Sequence, residues 1–579
     1  MVLALGCSSK AATSDGGVTE NTGGKNAGSG SSGKPGSGGK PDAGGVSGGG
    51  NGARDGGGAG GVGGNGGDGG NGGNGASDAG GDSSIGGQGG SGGGEPAAGD
   101  LAFDVAVSGL LDGTSTAWEQ ARDVAFDETG AMYIVGGTSS ADFPTTAGAY
   151  DRSYNTGGGE LGTQGATDAF ITKMDSTGKI VWSTYLGGPN YDRAYAVEVD
   201  ANHAVYIAGR AGRGFPTTAG TLQTAFAGDS APSAVYGSQD GFIAKLSADG
   251  ATLVWSTYFG EAGPGFIRDL DIDGMNRVHV VASSINGSDM DSRVTSGAAQ
   301  SKRRGDFDSF YARVSADGKN VEYGTYLGGN DTGGYFSSNP SVRVLSDGTA
   351  TVLIDEPGSG APTTAGSYQP GSNGGYDLLV AKFSPAGKTL FCTYLGGSAN
   401  EMMDTHSLAL DLSGNAVIGA STGSTNYPVT DATQHVAGSD VAVSILSADG
   451  SKLLHSTMLG GDSLDAVEGI SVDANGNIYV SGFTNSTNLP VTPNALVSKH
   501  IGSREGLQLV FSSDLAVLRY ASYDGIPGEY ANRSSMVTAG GTWAIVGAVW
   551  NLNPFPSTTG LDAKIDGQHA AFFQVLSPR

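Results

Sequence analysis

The phrase Ser-Thr-Tyr-Leu-Gly-Gly at residues 183–188 recurs along this chain and decides its fold. Related copies stand at 256–260, 324–329, 392–397, 456–461 and, in degenerate form, 521–525. The period is therefore about 65 residues. Self-similarity at a fixed period of this size is the signature of a repeat architecture, in which each unit packs against its neighbours.

Each period contains four short apolar runs, which in the first repeat are residues 124–127, 131–137, 168–174 and 179–186. The runs are rich in Val, Ile, Phe, Tyr and Thr and are bounded by turn residues, as β-strands are. Glycines such as Gly130 and Gly178 end the short turns and supply the positive φ of tight hairpins. Four antiparallel strands per repeat, without helical periodicity, predict a blade of an all-β propeller.

The two ends of the chain predict the number of blades. A seventh repeat has strands at 533–537, 543–549 and 569–575, but the sequence reaches Arg579 before a fourth strand. An orphan strand lies at 103–113, and its residues 105–113 align with 180–188 of the first repeat. We therefore expect seven four-stranded antiparallel blades, the last completed by the N-terminal strand, because such closure leaves no open sheet edge.

Several motifs recur in the same order in these repeats. They include Asp-Ala-Asn-Gly-Asn-Ile-Tyr-Val-Ser-Gly at 473–482, Phe-Pro-Thr-Thr at 143–146 and 215–218, and Asp-x-Phe-Ile-x-Lys at 168–173 and 240–245. In this pattern the chain resembles the bacterial SBBP family of β-propeller repeats over residues 101–579. The resemblance implies a surface or envelope protein and implies no chemistry.

The first hundred residues differ in composition from the repeats. About 40 of them are glycine, mixed with Ser, Asn, Asp and Ala. Residues 8–100 cannot bury enough apolar surface to offset the entropy of ordering, so they are predicted to be a disordered Gly/Ser/Asn-rich tether. The predicted organisation is a signal remnant at 1–7, this linker at 8–100 and the propeller at 101–579.

Residues 3–9, Leu-Ala-Leu-Gly-Cys-Ser-Ser, resemble a bacterial lipobox in which Cys7 would carry the lipid. Ala4 stands where the family has Leu, and the apolar stretch before Cys7 is shorter than a signal peptide needs, which fits a start codon placed too far downstream. The alternative is an incidental cysteine. Since Ser8 is not the Asp of inner-membrane retention, the resemblance implies an anchor in the outer membrane or at the cell surface. Without lipid, the protein would be periplasmic or secreted.

Charge and reactive residues limit the function. The net charge of −26 argues against nucleic acid and anionic membranes, which require basic patches. The seven His show no metal-ligand spacing, and no nucleophile motif occurs, so we expect no metal, no cofactor and no catalytic residue. The other cysteine, Cys392, replaces Ser183 of the repeated phrase and is predicted to be a packed thiol.

One segment is similar to a known enzyme motif. Residues 175–182, Asp-Ser-Thr-Gly-Lys-Ile-Val-Trp, are similar to the tryptophan-docking motif of quinoprotein propellers. Only Trp182 and Trp255 occupy this strand position, whereas quinoproteins have the Trp in most blades. We interpret the motif as packing between blades and keep a quinone-dependent dehydrogenase as an alternative.

Residues repeated in every blade are predicted to be framework, so recognition is expected where the blades differ. The variable segments are the loops at 151–167, 224–239, 285–307 and 370–376, which the strand order places on one face of the ring. This face, called here the long-loop face, carries the predicted partner-binding residues Tyr154, Phe226, Tyr236, Lys302, Arg303 and Arg304.

The sequence therefore predicts a monomeric, lipid-anchored envelope propeller that binds an unidentified protein or glycan without catalysis. One alternative is a scaffold lipoprotein of envelope assembly. The other is a propeller enzyme, a hydrolase or a quinoprotein, with its site at the mouth of the ring. Carboxylates with perturbed pKa values in the central channel would indicate an enzyme, and a flat polar loop face would indicate binding.

Overall fold

The computed structural model describes residues 99–113, 118–228, 233–260, 266–283, 290–306, 308–330, 339–356, 358–430, 439–526, 529–550, 555–559, 561 and 569–579. The predicted linker up to residue 98 and Cys7 lie outside these residues. Among the helices of the described residues, none has the length and apolar character that crossing a bilayer would require.

The described chain forms seven antiparallel sheets, each of them one blade. Six sheets consist of consecutive strands, whereas the seventh combines β27, β28 and β29 with the N-terminal β1. A single turn of 3-10 helix lies at Asp291–Arg293 in the long loop of blade 3.

The strands are, by blade: β2 Glu119–Phe126, β3 Met132–Thr138, β4 Asp168–Met174 and β5 Ile180–Leu186 in blade 1; β6 Arg193–Val199, β7 Val205–Ala211, β8 Asp240–Leu246 and β9 Leu253–Phe259 in blade 2; β10 Phe266–Ile272, β11 Val278–Ser283, β12 Ser309–Val314 and β13 Val321–Leu327 in blade 3; β14 Ser341–Val344, β15 Ala350–Glu356, β16 Asp377–Phe383 and β17 Thr389–Leu395 in blade 4; β18 Glu401–Met402, β19 Leu408–Leu410, β20 Ala416–Thr422, β21 Asp440–Leu446 and β22 Leu453–Leu459 in blade 5; β23 Asp465–Val472, β24 Ile478–Thr484, β25 Glu505–Phe511 and β26 Leu518–Tyr523 in blade 6; β27 Glu529–Val537, β28 Trp543–Trp550, β29 Ala570–Pro578 and β1 Phe103–Leu111 in blade 7.

The first strand of each blade lies at the centre of the ring. These inner strands contact one another in the circular order β2, β6, β10, β14, β19, β23, β27 and back to β2. All of them begin at the long-loop face and end at tight hairpins on the opposite, hairpin face. The predicted seven-bladed propeller is therefore confirmed, and its seven inner strands enclose a central channel.

The N-terminal strand closes the ring as predicted. β1 pairs with β29 from Phe103↔Pro578 to Leu111↔Ala571 and is the outermost strand of blade 7. The ring of Phe103 is fully buried, with its centroid 4.8 Å from that of Tyr520 and 6.3 Å from that of Trp543. This strand therefore joins the two ends of the chain and also packs against blade 6.

Aromatic residues of the outer strands join each blade to the next. Trp182 of β5 donates its indole N–H to the carbonyl of Ala248, 3.0 Å away in the hairpin of blade 2. Its ring lies over Gly250, where a Cβ would come within 2.4 Å of Cδ2. Trp255 makes the same contact with Ala316 and Gly318 of blade 3. These contacts are those expected of packing between blades.

The core consists of separate apolar clusters between neighbouring blades. Cys392 of β17 belongs to one of them and is buried, which raises the pKa of its thiol to about 12. The prediction of a packed thiol in a blade is confirmed.

Candidate functional site

A β-bulge recurs at one height in the inner strands. In five blades the pairing of the inner strand with its neighbour shifts by one residue, at Arg122, Tyr195, Arg268, Glu468 and Arg533. Each of these residues lies five positions before the residue that opens the hairpin, which is Asp127 in the first blade. A bulge leaves its extra residue out of the ladder and redirects the side chain. Here it turns large polar side chains into the channel.

Four arginines surround Tyr195 at the long-loop end of the channel. The guanidinium carbons of Arg193, Arg122, Arg210 and Arg268 lie 4.6, 4.8, 5.0 and 5.1 Å from the centre of the Tyr195 ring. Their residues are only 3%, 1%, 4% and 3% exposed. Arg193 donates from Nη2 to the Tyr195 hydroxyl over 2.8 Å, and Arg210 donates to the same oxygen. We call these four residues and Arg533 the arginine layer.

Asp404 and Glu468 contact two arginines of the arginine layer. Asp404 lies 3.8 Å from Arg122 and 3.4 Å from Arg533, and Glu468 lies 3.2 Å from Arg533. The buried Nε atoms of Arg122, Arg193 and Arg210 have no hydrogen-bond acceptor in the described part of the chain. Unpaired buried N–H groups are costly, and unpaired buried charge more so.

The arginines control the acidity of the phenol at their centre. Burial by itself would raise the pKa of Tyr195, but the positive charges of Arg193, Arg210, Arg268 and Arg122 lower it to about 7. An ordinary tyrosine has a pKa near 10. Tyr195 can therefore carry a negative charge in the neutral pH range.

Aromatic residues pack around the outer arginines. Arg193 stacks on the ring of Trp118 at 5.3 Å, and Arg210 stacks on Tyr236 and Phe266, both at 4.4 Å. Cation–π contacts of this kind hold guanidinium planes in fixed orientations. The arginines are thus positioned by rings from three blades rather than by carboxylates.

An insertion in blade 5 brings two side chains across the channel. Between the pairs Met402↔Ser421 and Leu408↔Ile418, five inner-strand residues face only two residues of β20. The extra residues carry Asp404, which reaches Arg122 on blade 1, and His406. His406 lies 3.7 Å from both Asp123 of blade 1 and Asp269 of blade 3.

The hairpin end of the channel is acidic. Asp123 accepts hydrogen bonds from the Val197 N–H at 2.9 Å and the Ser534 hydroxyl at 2.7 Å, and so links blades 7, 1 and 2. Burial raises the pKa of Asp123 and, together with Asp271, raises that of Glu198 well above its ordinary value. Burial also raises the pKa of Asp271 to about 7. With Asp269, these residues form what we call the acidic layer.

One arginine is placed within the acidic layer. Arg343 of β14 lies 2.7 Å from Asp269, whose carboxylate also accepts from the Val342 N–H and the Ser341 hydroxyl. Asp269 thus links blades 3 and 4 as Asp123 links blades 1 and 2. The channel is therefore polarised along its axis, with guanidinium groups at the long-loop end and carboxylates at the hairpin end.

Of the predicted partner-binding residues, Tyr236 is the one that reaches the channel. Its half-buried ring lies over Arg210 and 4.9 Å from the ring of Tyr191. Tyr154 instead donates its hydroxyl to the carbonyl of Ala166 over 2.6 Å, and its ring packs near Tyr185. These contacts keep Tyr154 within blade 1.

The other predicted residues lie on loops of blades 2 and 3. Phe226 is half-buried beneath Arg213, whose guanidinium carbon is 4.7 Å from the ring. Lys302 is exposed and forms an ion pair with Asp291, whereas Arg304 donates to the carbonyl of Gly360 in blade 4 over 2.7 Å. Arg303 is half-buried and contacts the carbonyl of Asp306 at 3.5 Å. The six residues thus occupy three neighbouring blades of the long-loop face.

The repeated acidic residues of the third strands serve the framework. Asp168, Asp240, Asp308 and Asp377 each accept a backbone N–H from the long loop that precedes them, from Asn155, Ala227, Arg304 and Asn373 respectively. These bonds fix the loops that form the long-loop face, as expected for residues that every blade needs.

No group of three or more His, Cys, Asp or Glu side chains suited to a metal ion occurs among the described residues. The histidines of blade 5 do not gather at one point, since His406 lies in the channel and His455 is on the outer strand β22. His435 lies outside the described residues.

The channel residues were missed in the sequence because the inner strands are not apolar. The first strand was predicted to begin at residue 124, whereas β2 begins at Glu119 and includes Arg122 and Asp123. The available signal was positional. The residue five places before the hairpin is Arg, Tyr, Arg, His, Glu and Arg in six of the repeats. A large polar residue thus recurs at the same distance from the hairpin, while its type changes from repeat to repeat. This pattern indicates a ring of variable side chains.

The comparison with protein families supports the repeat assignment. Residues 458–490, which contain β23, β24 and Glu468, match the model of the SBBP beta-propeller repeat. The ring carries an SBBP repeat. The chain is also 25% identical over 255 residues to the regulatory protein FlaEY of Caulobacter vibrioides, a match that covers 41% of this chain and 24% of FlaEY. The chain therefore spans about a quarter of that relative.

Solved structures similar to this chain include two dehydrogenases. The quinohemoprotein alcohol dehydrogenase of Comamonas testosteroni has a TM-score of 0.38 and 11% identity, with 82% of this chain and 76% of that chain covered. A europium-containing methanol dehydrogenase has a TM-score of 0.35 and 10% identity, with 82% and 93% covered. A Dyadobacter fermentans protein of unknown function has a TM-score of 0.36 and 8% identity, with 83% and 100% covered. Similarity at this level carries no information about activity.

Proposed function

We propose that this protein is a non-enzymatic binding module of the cell envelope that receives an anionic group of its partner in the arginine layer. The partner is a protein or glycan that approaches the long-loop face, and the module acts as a monomer held to the outer membrane or cell surface through Cys7. If Cys7 carries no lipid, the module is periplasmic or secreted. Nucleic acid is not its partner, since the body of the protein is acidic.

One observation carries this proposal. Arg122, Arg193 and Arg210 are buried together, and each has an Nε–H without an acceptor in the described chain. Guanidinium groups bind carboxylate, sulfate and phosphate oxygens with paired, charge-assisted hydrogen bonds. A bound anion would satisfy these donors and would lie next to the guanidinium groups around Tyr195. The site thus has the donors and the charge of an anion receptor.

The long-loop face supplies the surroundings of this receptor. The half-buried Tyr236 lies at the border between the arginine layer and the loops. Lys302, which is paired with Asp291, and Arg303 stand on the same face in blade 3, where they can contact an acidic partner. On a body with a net charge of −26, these groups form a local region that attracts an anion. We propose that they select the partner that presents it.

The carboxylates of the channel favour an enzyme as a second candidate. The pKa of Glu468 is raised well above its ordinary value, chiefly by burial and also by Asp404, and Tyr195 has a pKa of about 7. Groups with such perturbed pKa values are typical of acid–base catalysis. A channel hydrolase would use them on the same anionic ligand. An envelope assembly scaffold would instead use the outer surfaces of the ring and leave the channel unused.

The test compares matched acidic and neutral oligosaccharides and envelope proteins binding to the wild type and to Arg193→Gln. Losing one charge-assisted contact costs about 1.5–3 kcal/mol, so the affinity for acidic ligands should fall roughly ten- to a hundredfold. The control is Arg213→Gln, because Arg213 belongs to the same blade but is exposed and paired with Glu160 at 2.9 Å. This variant should bind like the wild type.

The stability of the variant separates a binding role from a structural one. Arg193 also donates to Tyr191 and Tyr195 in the free protein, so the unfolding midpoint of Arg193→Gln is measured as well, and the loss of affinity is assigned to the site where it exceeds what the unfolded fraction explains. Unchanged binding of acidic ligands by Arg193→Gln would contradict the proposal. Turnover of a bound oligosaccharide by the wild type, abolished by Tyr195→Phe, would replace the binding module with the enzyme.

A further inference from the structure

The geometry points to a proton-coupled anion site, in which Tyr195 is the internal counter-ion of the arginine layer and takes up a proton when a carboxylate or sulfate group binds. This inference rests on the proposed function and deepens it, because it names the chemical class of the ligand and the regulation of its binding. The ligand is an oxyanion whose parent acid has a pKa well below neutral, so its own charge does not change around neutral pH.

The hydrogen bonds of Tyr195 support a charged phenol. Its oxygen accepts N–H groups from Arg193, at 2.8 Å, and from Arg210. The described residues offer no acceptor for the proton of a neutral phenol at this position, and the ring lies among four guanidinium groups. A phenolate satisfies both donors and lacks the proton that would need an acceptor. The site therefore holds one negative charge of its own at its centre.

The groups that face Tyr195 come from every element packed against it. Those in direct contact or in the same layer are Arg122 of β2, Arg193 of β6, Arg210 of β7, Arg268 of β10, the phenols Tyr191 and Tyr236, and, further across the channel, Asp404, Glu468 and Arg533. Asp123, Asp269 and His406 lie in the next layer towards the hairpin face. The charged groups that contact the Tyr195 ring itself are the four guanidinium groups.

An incoming anion replaces the phenolate as the counter-ion. Its oxygens can accept the unpaired Nε–H groups of Arg193, Arg210 and Arg122. Its negative charge then cancels the field that held the pKa of Tyr195 at about 7, so this pKa returns towards the ordinary value near 10. The phenolate takes one proton from solvent and loses its negative charge. The net charge of the site therefore changes by less than the charge that the ligand brings.

The sign of the pH dependence follows from this exchange. Below the pKa of the empty site Tyr195 is already neutral, so binding needs no proton and the affinity is independent of pH. Above about 7 the phenolate competes with the ligand, and each bound anion requires a proton. The affinity should then fall by up to tenfold per pH unit until the pKa of the complex is reached.

The experiment is calorimetry of the full chain with sodium sulfate and with sodium D-glucuronate, from about pH 6 to about pH 9. Buffers with different ionisation enthalpies report the protons taken up. We expect uptake approaching one proton per anion at about pH 8 and none at about pH 6. Ligand binding at the higher pH should also reduce the phenolate absorbance near 295 nm. Glucose is the uncharged control and should not bind.

Two variants distinguish a titrating counter-ion from a structural tyrosine. Tyr195→Phe keeps the ring among the arginines but removes the phenolate, so it should bind sulfate independently of pH and more tightly than the wild type at about pH 8. Tyr191→Phe is the matched control, because Tyr191 also accepts from Arg193, at 3.1 Å, and should keep the pH dependence.

The outcomes separate the two proposals. Binding by the wild type that is independent of pH and takes up no proton would overturn the coupling and leave the anion site in place. Weaker binding by Tyr195→Phe at about pH 8 would also overturn the coupling. If neither sulfate nor glucuronate binds to the wild type or to Tyr195→Phe at any pH, both the coupling and the anion site are wrong.

Discussion

Replacing Gly250 by alanine should destabilise the ring far more than the same change at Gly130, although both glycines close tight hairpins. Gly250 has φ +68° and Gly130 has φ +80°, conformations that cost a residue with a Cβ roughly 1–2 kcal/mol. Around Gly130 no heavy atom lies within 4 Å of the added Cβ. At Gly250 the Cβ would come within 2.4 Å of Trp182 Cδ2, so the indole must move.

The difference between the two variants measures the contact between blades 1 and 2. Overpacking a buried ring costs about 1–3 kcal/mol, in addition to the backbone strain. We therefore expect the free energy of unfolding to fall by about 1–2 kcal/mol for Gly130→Ala and by about 2–5 kcal/mol for Gly250→Ala. Moving the ring also weakens its hydrogen bond to Ala248, which is 3.0 Å long in the wild type.

The assay is urea unfolding followed by circular dichroism in the strand region, since tryptophan fluorescence would change with the variants themselves. Free energies are compared only where the slope of the transition is unchanged. A double-mutant cycle with Trp182→Ala completes the design. In that background Gly250→Ala should cost only the backbone strain, about 1–2 kcal/mol. Equal losses for Gly130→Ala and Gly250→Ala in the wild-type background would refute the role of Trp182 in joining the blades.

Three further predictions concern the closure, the rim and the membrane. Phe103→Ala should lower the free energy of unfolding by about 3–5 kcal/mol, because its ring is fully buried. Asp104→Ala breaks only the exposed ion pair with Arg579 and should cost less than about 1 kcal/mol. Similar urea midpoints for the two variants would show that β1 does not close the ring. The double change Lys302→Ser and Arg303→Ser should leave the melting temperature unchanged and weaken capture of an acidic partner; undiminished capture would remove this loop from recognition. Cys7→Ser should move the protein from the membrane to the soluble fraction, and mass spectrometry that finds no lipid on Cys7 of the wild type would contradict the anchor.

The sequence was sufficient to predict the blades but not the lining of the channel. The third and fourth strands of the blades, such as β16 and β5, are mostly apolar, because both of their faces pack against neighbouring blades. The closing strand was found from its alignment with the first repeat and pairs with β29 as predicted. These features depend on local pattern and on the period, both of which can be read directly from the sequence.

The inner strands follow a different rule. One face of β2 packs into the blade, whereas Arg122 and Asp123 face the channel, so the apolar pattern is lost where the functional side chains lie. The convergence of Arg122, Tyr195 and Arg268 depends on the closed ring, since these residues are about 70 positions apart in the chain. The approach of Asp404 further depends on five residues that bulge from blade 5. None of these distances follows from spacing within one repeat.

Because of the recurring bulge, the residue that faces the channel can change while the strand pairing of its blade stays the same. A bulge residue forms no pair in the strand ladder, so its replacement leaves the hydrogen bonding of the blade intact. Duplication of a blade copies the framework together with one position whose identity is free to change. Five blades use this position for Arg, Tyr, Arg, Glu and Arg. A propeller of this type can therefore acquire a new ligand by single substitutions at one height of the channel, with the architecture inherited unchanged.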